Sequence, residues 1–155
     1  MRVLRIGLAA LGAVATSSVG ALGALALMAS PASAAPISTQ FSIGQVQLGP
    51  LGASVSVHLV FTCDPSLNVA YGDATVIQAS GHKLAQGTGT FENTFPGVPC
   101  TGVSETVTVQ VPAFGGFAFK VGKHAIANAD LNLFDPVSNN ISTTTISGQA
   151  ITISK

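Results

Sequence analysis

The chain has 155 residues, with six Lys and Arg against six Asp and Glu, two cysteines, one tyrosine and no tryptophan. Both arginines, Arg2 and Arg5, fall in the opening segment, so the rest of the chain is net negative and free of arginine. It lacks the basic face that nucleic-acid binding needs to release phosphate counterions, and the same deficit disfavours anionic membranes.

The opening segment has the composition of a secretory signal peptide. Arg2 and Arg5 precede a charge-free run rich in Ala, Leu and Gly, and Ala32 and Ala34 supply the small residues a signal peptidase accepts. We expect residues 1–34 to be removed, with a cut after Ala35 as the alternative. The competing reading is a retained anchor, since Ile6 to Ala29 is long enough to span a bilayer. Gly, Ser and Thr dilute that stretch, and no basic stop-transfer flank follows it. Residues 35–155 then form a single secreted domain of ordinary size, with no later segment apolar and long enough to cross a membrane.

Within that domain the apolar residues repeat every second position, which is the strand signal. Ser38 to Leu48 opens the series. Ser54 to Cys63 follows, with Val55, Val57, Leu59, Phe61 and Cys63 on one face. Asp73 to Ala79 is the next strong strand, preceded by Tyr71. Leu84 to Phe91 reads as an edge or bulged strand because it carries Gly87 and Gly89. Glu105 to Val111 turns Val107, Val109 and Val111 inward. His124 to Phe134 turns Ala125, Ala127, Ala129, Leu131 and Leu133 inward, and its small alanines imply bulky partners facing them. In the last strand, Ile141 to Ile153, the apolar positions change parity across Gly148, so a bulge is expected there. About seven short strands separated by Gly, Pro and Asn turns predict an all-β antiparallel β-sandwich, immunoglobulin-like in architecture.

Cys63 and Cys100 are the only cysteines, and export places them where disulfides form. Closing a loop of about 36 residues stabilises the fold by roughly 4 kcal/mol on the chain-entropy model. Neither a zinc site nor a Cys-x-x-Cys redox pair fits their spacing and the scattered His58, His82 and His124. In antibody domains the bridge joins two core strands against a Trp. Here Cys100 precedes its strand and there is no Trp, so the likeness is one of architecture.

The order Phe61-Thr-Cys63, Val76-x-Gln78, Gly87-x-Gly89, Cys100-x-Gly102 with Val107 and Val109, and Phe119-x-x-Gly122-x-x-Ala125-x-Ala127 resembles a group of small secreted actinobacterial proteins. That resemblance spans Val55 to Leu133. It implies an exported β-sandwich with one disulfide and carries over no activity. Thr101 stands where many of those proteins have an acidic residue.

Chemistry is sparse. There is no Gly-x-Ser-x-Gly and no phosphate-binding loop, and Asp64, Asp73 and Asp135 sit in turn-like contexts where Asp caps the backbone. Asp130, Asn132 and Asp135 gather oxygen donors but lack a calcium-loop pattern. We therefore expect no catalytic residues, no metal and no cofactor. Two aromatic stretches stand out. One holds Phe114, Phe117 and Phe119 around a Gly-Gly turn, followed by Lys120 and Lys123, and forms the first candidate binding loop; the competing reading packs Phe117 and Phe119 inward and leaves Phe114 exposed. The other, near Cys100, holds Phe91 and Phe95 and forms a second candidate surface. The expected function is non-enzymatic binding of a protein or cell-wall partner, with carriage of an apolar small molecule between loops as the alternative and an enzyme as a distant second alternative.

Overall fold

The computed structural model describes residues 38–155, apart from the side chain of Lys123. The expected signal peptide and its cut after Ala34 or Ala35 lie outside the described residues. Eight strands follow in chain order: β1 (Gln40–Leu48), β2 (Ser54–Thr62), β3 (Asn68–Ser80), β4 (Lys83–Glu92), β5 (Val98–Pro99), β6 (Glu105–Pro112), β7 (Gly122–Asp135) and β8 (Asn140–Ser154). They hydrogen-bond in one series, β4-β3-β7-β8-β1-β2-β6, with β5 set against β3.

The pairings are antiparallel except for β1 with β8, a short parallel bridge of Val46 with Ile153 and Gln47 with Ser154. The expected all-β, mainly antiparallel chain with one disulfide is what the structure contains. The hydrogen bonds do not divide the strands into two separate sheets. They join both halves into a single sheet that rolls until its terminal strands, β4 and β6, meet.

Gly87 and Gly89 make that meeting possible. A Cβ on Gly87 would lie 2.0 Å from the Pro112 carbonyl oxygen, and one on Gly89 would lie 2.0 Å from that of Gln110. The backbone of β6 thus occupies the space where β4 would otherwise carry side chains. β4 is an edge strand, as expected, but its pairing with β3 runs from Tyr71–Glu92 to Ser80–Lys83 without a bulge. The expected bulge in β8 is present. Ala127 pairs with Gln149 and Ala129 with Ile146, which leaves one extra residue at Ser147–Gly148. Gly148 takes the positive φ that this requires, and its N–H donates to Asn128 Oδ1 at 2.7 Å.

The inner face of the roll holds one large core. Val55, Val57 and Leu59 of β2 meet Val109 and Val111 of β6, Ala74 and Val76 of β3, and Ala125, Ala127 and Ala129 of β7. The alanines sit among valines, leucine and isoleucines, as their size implied. A second cluster at one end contains Phe61, Cys63, Val69, Cys100, Leu131 and Leu133. Cys63 and Cys100 are bonded there, with their Cα atoms 5.6 Å apart.

Candidate binding site

The two ends of the roll present different surfaces. At the β6–β7 connection the chain leaves β6 at Pro112, turns at Gly115 and Gly116, and re-enters the sheet at Gly122. Gln78 fixes its course. This side chain points into the roll from β3 and is 4% exposed. Its Nε2 donates to the Lys120 carbonyl at 2.8 Å, and its Oε1 accepts from the Lys120 N–H at 2.8 Å. One side-chain amide thereby satisfies both backbone polar groups of a residue that no strand covers. The Phe119 N–H also donates to the Gly52 carbonyl at 2.9 Å, and its ring is 2% exposed inside the main core. Phe119 is a core residue rather than a contact residue.

Phe114 and Phe117 remain half-exposed on either side of the Gly-Gly turn, and they face different depressions. Phe114 donates its N–H to the Gln86 carbonyl at 2.7 Å and lies over Thr75, Ile77 and Thr88. Phe117 stands with Lys83, whose Nζ is 5.5 Å from the ring centroid, above a depression lined by Gln78, Ser80 and Lys120. Lys120 is exposed. The Lys123 side chain lies outside the described residues. These residues form two shallow, partly polar spots, not one apolar patch.

The disulfide end is built differently. Tyr71 of β3 and Phe134 of β7 project from the outer face, and Ile141 of β8 pairs directly with Phe134. The connection from β4 to β5 folds over them. Asn93 anchors its start, with its N–H donating to the Ala70 carbonyl at 2.9 Å and its Nδ2 to the Val69 carbonyl at 2.8 Å. Asn68 Nδ2 reaches the Pro96 carbonyl at 3.3 Å. The two-residue strand β5, the Cys100 N–H bond to the Leu67 carbonyl at 2.9 Å and the disulfide hold its far end.

Phe95 stands at the tip of this tethered loop. It is 74% exposed, yet its ring packs on Phe134 with centroids 5.1 Å apart and planes tilted by 57°. Phe134 is buried in turn, although it belongs to the outer face. Together Ala70, Tyr71, Glu92, Asn93, Phe95, Phe134 and Ile141 enclose a mainly apolar cleft of about 250 Å³. Phe91 does not belong to this cleft. It is half-buried, packs against both core clusters and lines a smaller cavity of about 170 Å³ where β4 and β6 diverge.

Charged groups are few. Asp73 and Asp130 oppose each other across β3 and β7. Partial burial, and then the Asp130 carboxylate, hold the Asp73 carboxyl above its ordinary range. Among the described residues two buried polar atoms have no hydrogen-bond partner, Asp130 Oδ1 on β7 and His58 Nε2 on β2. They lie in different parts of the sheet and do not converge. Among the described residues no group of three or more His, Cys, Asp or Glu is placed to hold a metal ion. Thr101 hydrogen-bonds to the Glu105 carboxylate through its hydroxyl and its N–H, closing the corner after Cys100.

Of the candidates read from sequence, Phe95 alone joins the cleft. In the sequence Phe134 and Ile141 read as strand residues and Tyr71 as the residue ahead of a strand, and none of the three as part of a site. The signal that marks them is the break in alternation at Leu133-Phe134, where two successive apolar residues need cover on both faces. No protein-family model matches the chain, and no curated protein sequence matches it.

Proposed function

We propose that residues 35–155 are a secreted, non-enzymatic binding protein, released by removal of residues 1–34, that engages its partner through the Phe95 cleft. On this reading the rolled sheet is a closed variant of the immunoglobulin-like sandwich, and the protein belongs with the small secreted actinobacterial proteins it resembles. One observation carries the assignment: Phe95 is held exposed, by a loop tied at both ends, over an aromatic cleft that the core does not need. An exposed ring costs solvation, and a tethered one binds with little further loss of freedom. The cleft is smaller than the roughly 300–1,000 Å³ of drug-sized sites. It suits one ring or one apolar side chain of a protein or cell-wall partner, and as a carrier site it suits only a single-ring compound. The exposed Glu92 carboxylate at the rim favours a donor or positive charge on that group.

Tyr71 makes the test direct, because it is the only tyrosine and the chain has no tryptophan. Its fluorescence therefore reports on the cleft alone. Titration with benzylamine is expected to change that emission saturably. Phe95→Ala should abolish the change, and Glu92→Gln should weaken benzylamine while sparing benzyl alcohol. A flat titration that is the same in wild type and Phe95→Ala refutes the assignment. So does hydrolytic activity in a broad substrate screen that a single substitution removes.

A further inference from the structure

A rolled sheet exposes few edges, and this one covers or distorts most of them. β4 lies against β6 at Gly87 and Gly89, and Phe114 bonds to Gln86 on the same strand. β1 is bulged at Gly44–Gln45, between its pairs Ile43–Leu59 and Val46–Val57. β8 is treated differently. From Asn140 to Ile146 one side pairs with β7, while pairing with β1 begins only at Ile153. The other side of that stretch has no backbone partner among the described residues.

The segment reads Asn140-Ile-Ser-Thr-Thr-Thr-Ile-Ser147. It contains no charge, proline or glycine, and only Thr144 and Ile146 are half-buried while the rest are exposed. Edge strands are ordinarily blunted by lysine, proline, a bulge or a covering loop. The bulge here comes after the segment, at Ser147–Gly148. Its threonines and isoleucines favour the extended conformation.

We propose that the Asn140–Ser147 edge of β8 docks a second copy of this chain, whose own β8 pairs antiparallel across a twofold axis at Thr144. The sequence of the edge argues for this occupant. A twofold axis normal to the sheet keeps each face on its own side, so residues of equal parity oppose each other. Centred on Thr144, it sets Thr144 against Thr144, Thr143 against Thr145 and Ser142 against Ile146. Threonine pairs are favourable cross-strand neighbours, and no like charges meet. The nearest carboxylates, Asp130 and Asp135, stand one strand back on β7.

Sedimentation of the purified secreted protein across a wide concentration range is expected to show a reversible dimer. Thr144→Lys places lysine opposite lysine and should weaken that dimer at least about tenfold. Thr144→Cys should cross-link to itself on mild oxidation, and Ile141→Cys, which faces Ser147 of the other copy, should not. Because a variant can fail to fold, wild-type amide exchange serves as an independent measure, with protection of Ile141–Ile146 rising with protein concentration. A protein that stays monomeric with unprotected edge amides, or a dimer indifferent to Thr144→Lys that does not cross-link through Thr144→Cys, overturns the proposal.

Discussion

Replacing Gly89 with alanine puts a methyl group 2.0 Å from the Gln110 carbonyl oxygen, and Gly87→Ala does the same to Pro112. Both obstacles are backbone, so no side chain can rotate away. The two strands must part by roughly 1 Å before the contact is tolerable, and a gap of that size forfeits a quarter to a half of the attraction across it. Val109 and Val111 are fully buried along this seam. Their burial is worth about 1.5–3 kcal/mol each, so the lost attraction is about 1–3 kcal/mol. Crowding in a packed interior adds about 1–3 kcal/mol. Alanine's advantage over glycine within a strand returns only about 0.5–1 kcal/mol. Each substitution is therefore expected to destabilise by about 3 kcal/mol, read as a lower urea midpoint by circular dichroism. The first methyl opens the seam for the second, so the double variant should cost less than the sum of the singles by about 0.5 kcal/mol or more. Single variants within about 0.5 kcal/mol of wild type, or strict additivity, would refute a shared backbone seam.

Three further outcomes follow from the same structure. Gln78→Ala leaves the Lys120 N–H and carbonyl without partners and should cost about 2–4 kcal/mol in denaturant unfolding, with faster amide exchange around Lys120. Replacing Cys63 and Cys100 together by alanine should cost about 4 kcal/mol for a separation of 37 residues. Where that variant remains folded, the ring-current shift between Phe95 and Phe134 should diminish, as seen by nuclear magnetic resonance. Asp73 is held above its ordinary value of 3.8 by burial and then by Asp130. Its contribution to stability is thus complete below that value and is lost as pH rises through the higher folded value. Unfolding free energies measured from acid to neutral pH should fall less steeply across that window in Asp130→Asn than in wild type.

The strands were legible where a buried face forced alternation. Val55 to Cys63 and Ala125 to Leu133 announce themselves because every second residue enters the core. The bulge at Gly148 was legible for the same reason, since a parity change in a half-buried strand needs an inserted residue. The closure of the roll was not. Gly87 and Gly89 declare that no side chain is wanted, but the occupant, the backbone of β6, comes from more than twenty residues away. The start of β3 was missed because an extra residue at Ala70 interrupts its register with β7. β5 spans only Val98–Pro99, too short to show a period. The cleft was half visible: Phe95 stood out as an aromatic in a proline-rich loop, but its floor combines Tyr71, Phe134 and Ile141 from three strands, each unremarkable in its own segment.

The bond between Gln78 and Lys120 has a consequence for variation. The amide reads only the N–H and carbonyl of residue 120, which every amino acid except proline supplies. Position 120 is therefore free to carry almost any side chain without moving the loop, while position 78 accepts almost no replacement. In a saturation library selected for folding, one column of this pair should be nearly blank and the other nearly full, with proline its clearest gap. The β6–β7 loop can thus change the side chain it shows just before β7 while its path through space stays the same.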